Sequence, residues 1–386
     1  MSNTLLTPQQ IAREALVRLQ SNMVMAGIVH QDYSSEFVSK VGDTVNVRKP
    51  ATFIADEFGG TINLQEVGED SVPVRLNKIA DVSVEITSKE LTLDINSFGT
   101  QILDGATLAI AEKIDRDLAA LYKYIPYFSG VPGTTPNTLA HVSGAMKVLN
   151  ANRVPMAMRS AVWDPEAHAS LVTLDAIAGL DKSGTTAALR EASMGRIMSF
   201  DNYMDQNIMT HTAGGYTVLA DVTADVDNAN NAKDANTGFT YSVATLTSAA
   251  GASTAKLLKG DLLTIDGKPY TVVEDTANAV AGVISVVKIY PALTDDVADG
   301  AVVFPDKTAG GHTANLGFHK NALALVSRPL LPPMGGAESY VTNAPNAVNL
   351  RVTMGYDMNT KKNIVSIDCL YGVVPLFPQL ATRILG

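Results

Sequence analysis

From Phe98 to Ile125 the apolar residues keep a helical period without a break. Ile102, Leu103, Ala106, Ile110, Ile114, Leu118, Leu121 and Ile125 form one stripe, and Pro126 stops the run. Glu112, Lys113, Asp115, Arg116 and Asp117 fall on the other faces. A helix of this length spans a whole domain and has to bury its stripe against something. It therefore sets the frame into which the rest of the chain must pack.

The period before this helix is two. Val45 and Val47 alternate with polar residues in G-D-T-V-N-V-R-K-P, and Pro50 ends that strand. A return strand alternates at Val72, Val74 and Leu76, and a further run at Val82, Val84 and Ile86. Between them, Phe53 to Glu69 is acidic and glycine-rich, with Gly59, Gly60 and Gly68 as hinge points. A long hairpin with so few apolar residues at its tip cannot bury itself alone. Two readings fit the pattern: a surface excursion, or an arm lying across another subunit. Ahead of it, Thr7-Pro8-Gln9-Gln10 has the residues of a capped helix start, and Ile11, Ala15, Leu16, Leu19 and Met23 follow at helical spacing. That stripe needs a partner, either the chain's own core or a neighbouring subunit.

After the long helix the chain alternates. Leu139 to Asn150 reads as a helix, Ser160-Ala161-Val162-Trp163 as a buried strand, and Asp164-Pro165 as the cap of a helix through Leu171. This is the pattern of an α+β domain around a central sheet. The composition shifts from Ala220 to about Lys307, first to a linker rich in Asp, Asn and Ala, then to short strand-like runs. These are Phe239–Leu246, Leu262–Ile265, Tyr270–Val273, Val283–Ile289 and Val302-Val303. Asp266-Gly267 is a tight hairpin signal. The segment reads as an inserted all-β unit, a small barrel or sandwich. Strands at Ala322–Val326, Asn349–Thr353 and Asn363–Leu370 then close the α+β part.

Chemistry is hard to find. The sequence holds no phosphate-binding glycine loop, no His-Glu-x-x-His zinc helix and no nucleophile elbow. Asp164, Glu166 and His168 crowd together, but residues two apart on a helix do not share a face, and Asp164-Pro165 explains itself as a cap. His312 and His319 sit in what reads as a Gly-containing loop with no carboxylate close by. Asp225 and Asp227 begin a run like a calcium loop, but Asn230 and Asn236 stand where it needs Gly and a bidentate Glu. The single cysteine, Cys369, lies in an apolar run and reads as a small buried hydrophobe. No catalytic, cofactor-binding or metal-binding residue is assigned, and the expectation is a protein that is not an enzyme.

Charge narrows the partners. Lys and Arg total 29 and Asp and Glu 39, a formal net charge of −10. A chain this acidic has no general attraction to nucleic acid phosphates, although it can enclose DNA at a distance. The lone cysteine, the absence of a signal-like start and the lack of a long apolar run point to folding in a reducing cytoplasm, away from a membrane.

The order of these parts resembles the coat proteins of tailed phages, in particular the podovirus type that carries an inserted β-barrel domain. The residues that carry the resemblance are Gly42–Pro50, Ala161–His168, Lys259–Gly267, His319–Leu330 and Cys369–Pro378. The resemblance implies the tailed-phage major capsid fold. In this chain the N-terminal arm would take residues 1–36 and the extended loop 37–81. A peripheral domain would take 82–137 with its spine helix at 98–125, and an axial domain would take 138–219 and 308–386, divided by the insertion at 220–307. It further implies self-assembly into hexamers and pentamers of an icosahedral shell around double-stranded DNA. The expected location is the virion, assembled in the host cytoplasm. The implied partners are a separate scaffolding protein, a portal protein and a decoration protein, with no covalent cross-link. Assembly contacts are expected at Arg48, Lys49, Phe53, Asp56, Glu57 and Phe58, at Gly59, Gly60 and Glu66 of the loop, and at Ile11, Leu16 and Leu19 of the arm. Alternatives of another class are an encapsulin-like compartment shell, a different phage structural protein, or a hydrolase with an appended β-domain.

Overall fold

The structure is a computed structural model that describes residues 12–13, 15–17, 19, 23–31, 44–48, 71–87, 104–179, 187–215, 220–222, 232–234, 237–248, 256–293, 300–303, 311–333, 338–342, 348–358 and 362–386. Helices and strands mix throughout, giving an α+β protein.

The long helix runs Asp104–Ala119 and tightens into a 3-10 turn at Ala120–Tyr124. Its expected stripe is buried: Ala106, Ile110, Ile114, Leu118, Leu121 and Ile125 share one core with the sheets around them. The expected start at 98–103 lies outside the described residues, and Ile125 is already extended. Asp115 departs from the sequence reading. It was placed on a polar face, yet it is 1% exposed, because the N-terminal segment 23–31 covers that side of the helix.

One face of the helix meets a five-stranded sheet organised by the strand Lys362–Pro375. Lys78–Thr87 pairs along one edge of it. Along the other edge Arg351–Asp357 and Leu323–Arg328 lie end to end, and Glu338–Val341 flanks the former. Ala80, Val365, Ile367, Cys369 and Tyr371 turn inward to the helix. The hairpin strands Thr44–Arg48 and Ser71–Arg75 form a separate two-stranded sheet, in the register Val47↔Val72 and Val45↔Val74. Lys78–Thr87, by contrast, belongs wholly to the larger sheet.

A second sheet runs, in spatial order, Phe128–Gly130, Ala381–Leu385, Gly311–His319, Arg159–Trp163, Phe200–Met204 and Arg196–Ile197, with Thr210–Thr212 pairing to the start of Gly311–His319. The helices Leu139–Ala151 and Pro165–Val172 cover one face through Val142, Ala145, Leu149, Ala167 and Leu171 against Trp163 and Phe200. The other face, with Val162, Leu316 and Phe318, joins the core of the long helix. Gly311–His319 corrects the reading of that stretch as a loop. The strand is central and packed closely on both faces. A Cβ at Gly317 would stand 3.4 Å from Phe200, and Asn315 accepts the Asp164 N–H at 2.7 Å. Such a strand carries no alternation for a sequence to reveal.

The third sheet is built from Ala232–Lys233, Thr240–Ser248, Val283–Tyr290, Lys268–Val272, Leu262–Ile265, Gly300–Val303 and Ala220–Val222 in that order. Ala220–Val222 pairs back onto Thr240–Ser248, so six strands close into a ring, which removes exposed strand edges. It has its own core, including Leu246, Leu263, Val272, Val287 and Ile289. The turn Asp266-Gly267 has both residues at positive φ, 49° and 76°, as a two-residue hairpin turn requires.

Candidate functional site

Of the residues expected at assembly contacts, Ile11, Lys49, Phe53, Asp56, Glu57, Phe58, Gly59, Gly60 and Glu66 lie outside the described residues. Arg48 ends the strand Thr44–Arg48 opposite Ser71. Leu19 is buried and Leu16 half-buried against the chain's own core, so the N-terminal stripe finds its partner inside the same chain.

The base of the hairpin is firmly rooted. Val47, Val72, Val74 and Leu76 pack with Ala324, Val326, Val374 and Leu376 of the five-stranded sheet and with Phe239 at the edge of the barrel. The approach is so close that a Cβ on Gly372 would lie 2.0 Å from the Arg75 carbonyl oxygen. Gly238, at φ 69°, faces the same strand from the barrel side, where an added Cβ would stand 2.6 Å from Pro73 Cδ. The hairpin thus leaves the body where barrel, five-stranded sheet and the end of the long helix meet.

Beside this root lies a buried polar junction that sequence reasoning missed. Tyr122, in the 3-10 turn, hydrogen-bonds through its hydroxyl to His211 Nδ1 at 2.8 Å. His211 Nε2 meets Asp261 Oδ1 at 2.9 Å. Asp261, in the barrel loop, also accepts the N–H groups of Gly214 and Leu258. Arg383 donates to the Gly260 carbonyl at 2.6 Å and to Thr271 Oγ1 at 3.0 Å, with its guanidinium over the Tyr122 ring. Thr271 donates in turn to the Lys123 carbonyl, and Lys259 to the Tyr124 hydroxyl. Burial pushes the Tyr122 hydroxyl up to about 12. Burial, with Arg383 and His211 nearby, lowers His312 to about 3, so His312 is neutral at physiological pH. All of Tyr122, His211, Asp261, His312 and Arg383 are buried. The cluster is closed to solvent. It acts as a strut between the barrel and the body.

The other chemically suggestive residues separate. Asp164 caps its helix by accepting from the Glu166 and Ala167 N–H groups, while Glu166 accepts from the Thr135 hydroxyl. His319 accepts from the Asn321 N–H through Nδ1, and His312 belongs to the junction. Asp225 and Asp227 lie outside the described residues. Among the described residues no three of His, Cys, Asp and Glu form a metal-holding group. The Cys369 thiol is buried and pushed up to about 12, mainly by that burial. Among the described residues no helix is long and apolar enough to cross a membrane.

At the level of sequence, no protein family and no curated protein matches the chain. Solved structures do. A chain from Mycobacterium phage Che8 superposes with a TM-score of 0.52 over 94% of this chain and 90% of its own length, at 12% identity. This chain has the fold of that phage protein. The asymmetric unit of the bacteriophage PhiM1 mature capsid follows at TM-score 0.46 and 11% identity, covering 94% of this chain and 86% of that one. The capsid structure of cyanophage P-SCSP1u gives 0.42 at 12% identity, covering 89% and 83%.

Proposed function

We propose that this chain is the major capsid protein of a tailed phage, a non-catalytic subunit that assembles in many copies into the icosahedral shell around the genome. The observation that carries this reading is the fold shared with the Che8 phage chain over nearly the full length of both. In this scheme the hairpin between Thr44–Arg48 and Ser71–Arg75 is the extended loop, and Arg48, Lys49, Phe53, Asp56, Glu57, Phe58, Gly59, Gly60 and Glu66 meet a neighbouring subunit. A rooted base suits that role, because an arm can dock on a partner only if its own end is held. The long helix is the spine of the peripheral domain. The sheet of Arg159–Trp163, Gly311–His319 and Ala381–Leu385 is the axial domain that meets its copies in hexamers and pentamers. The barrel is an insertion carried on the exterior.

Partners are then further copies of the chain, a scaffolding protein, a portal protein and a decoration protein, with location in the virion after assembly in the host cytoplasm. Many weak, reversible contacts suit such a shell, since each ~1.4 kcal/mol changes an association constant tenfold. The test is negative-stain microscopy of the purified protein, alone and with a co-expressed scaffold. Closed shells or sheets of hexamers are the expected result. Protein that stays monomeric or dimeric with scaffold present would overturn the proposal.

A further inference from the structure

One member of the junction between barrel and body takes no part in its hydrogen bonding. His312 is 2% exposed, and among the described residues neither of its ring nitrogens has a hydrogen-bond partner. It sits opposite His211 on paired strands, in the register His312↔His211, with the ring centroids 5.2 Å apart and the planes tilted by 47°. His211 already uses both of its nitrogens, one on the Tyr122 hydroxyl and one on Asp261.

The titratable groups around His312 come from four elements. His211 is on Thr210–Thr212, Arg383 on Ala381–Leu385, Asp261 in the barrel loop and Tyr122 in the 3-10 turn. The Arg383 guanidinium lies over the Tyr122 ring, which in turn meets the His211 ring edge-on. Asp261, the carboxylate of the group, is already bonded to His211 and to the N–H groups of Gly214 and Leu258. A proton on His312 would therefore create a buried imidazolium whose N–H donors meet no acceptor, in a cluster that already holds a guanidinium. The packing disfavours that charge and offers nothing to compensate it.

We infer that His312 is an acid-sensitive release for the barrel: a proton on this ring opens the junction and frees the barrel from the body. The direction follows from the burial and the missing acceptor. In the open junction the ring reaches water and takes up a proton as an ordinary histidine does, at about pH 6.5. In the closed junction it stays neutral, lowered to about 3 by burial first and then by Arg383 and His211, against the pull of Asp261. The closed form thus binds fewer protons than the open form between about pH 3 and pH 6.5. Closure is at full strength above that window and weakens as pH falls through it. The barrel is a closed ring with its own core, so it has the means to leave the body while staying folded. The inference rests on the packing of this junction and holds whether or not the chain forms a shell.

The test is hydrogen exchange on the full unassembled chain from pH 5 to pH 8, corrected for the intrinsic pH dependence of exchange. This range stays above the ordinary carboxylate values. The Gly260 N–H bonds to the Val272 carbonyl and the Val272 N–H to the Asp261 carbonyl, so these two amides report on the barrel side of the junction. Their protection is expected to be level from pH 8 to pH 7 and to fall about tenfold per pH unit below about 6.5, one proton for each opening. The Ala161 and Val162 amides serve as an internal control and should stay level. His312→Leu should keep the protection seen at pH 8 and remove the decline. His312→Gln, which is also uncharged at every pH, gives the same readout if the leucine variant does not fold. Level wild-type protection, a rise on acidification, or a decline that survives in these variants would overturn the inference.

Discussion

Gly372 shows how much can depend on a missing methyl group. It lies in Lys362–Pro375 directly under the Arg75 carbonyl, where a Cβ would approach to 2.0 Å, a distance that demands a backbone shift. Gly372→Ala should therefore cost about 3 kcal/mol, the upper end of overpacking penalties, measured as a lowered midpoint in urea denaturation. The same residue-scale logic applies to the buried charges. Burial alone would raise the Asp117 carboxyl, but the Tyr371 hydroxyl, Lys78 and Lys113 outweigh it and hold it below the ordinary value. Asp117 is thus stabilising above its unfolded pKa and loses that contribution as pH falls through the folded value, the opposite sense to Asp115 two residues earlier. Neighbours on one helix acquire opposite pH responses because Asp117 is held by a tyrosine and two lysines, whereas burial raises the Asp115 carboxyl to about 6.

At the scale of elements, caps and turns were readable because their causes are local. Asp164-Pro165 starts its helix as the residue types predict, with the carboxylate on the Glu166 and Ala167 N–H groups. Asp164→Ala should cost about 1 kcal/mol of stability, visible as a small drop in thermal midpoint without a change of fold. Asp266-Gly267 turns tightly for the same kind of reason, since the turn needs two positive φ values and these residues tolerate them. Gly311–His319 and Ala381–Leu385 were missed. Their neighbours in the sheet come from the far ends of the chain, and burial on both faces erases the alternation that marks a half-exposed strand. The N-terminal stripe was seen as helical, but whether Leu16 and Leu19 met their own chain or another was decided by the long helix lying beside them.

For the molecule as a whole, the buried junction determines how the barrel is carried. A closed ring with its own core can fold as a unit. Its link to the body runs through Arg383, Thr271, Asp261, His211 and Tyr122. Arg383→Met would leave the Gly260 carbonyl and the Thr271 hydroxyl short of a donor in a buried place, at a cost of about 3 kcal/mol. The expected signature is faster hydrogen exchange at Gly260, Asp261 and Val272, with Ala161 and Val162 unchanged. A uniform change across the whole chain would mean that barrel and body unfold as one. In a shell subunit this strut would fix the direction in which the barrel points.

Sequence alone determined the features whose causes span a few residues. These are the long apolar helix, the Val47–Val72–Val74 hairpin strands, the Asp164 cap, the tight Asp266-Gly267 turn and the strand-rich segment that becomes the barrel. Periodicity, capping and turn chemistry act locally, so they are written locally. Tertiary structure decided the rest: the junction of residues 122, 211, 261 and 383, the inward turn of Asp115, and the root of the hairpin on Gly372. Each of these depends on groups brought together from distant parts of the chain, and a buried charge or a missing Cβ acquires its meaning only from what the fold places against it.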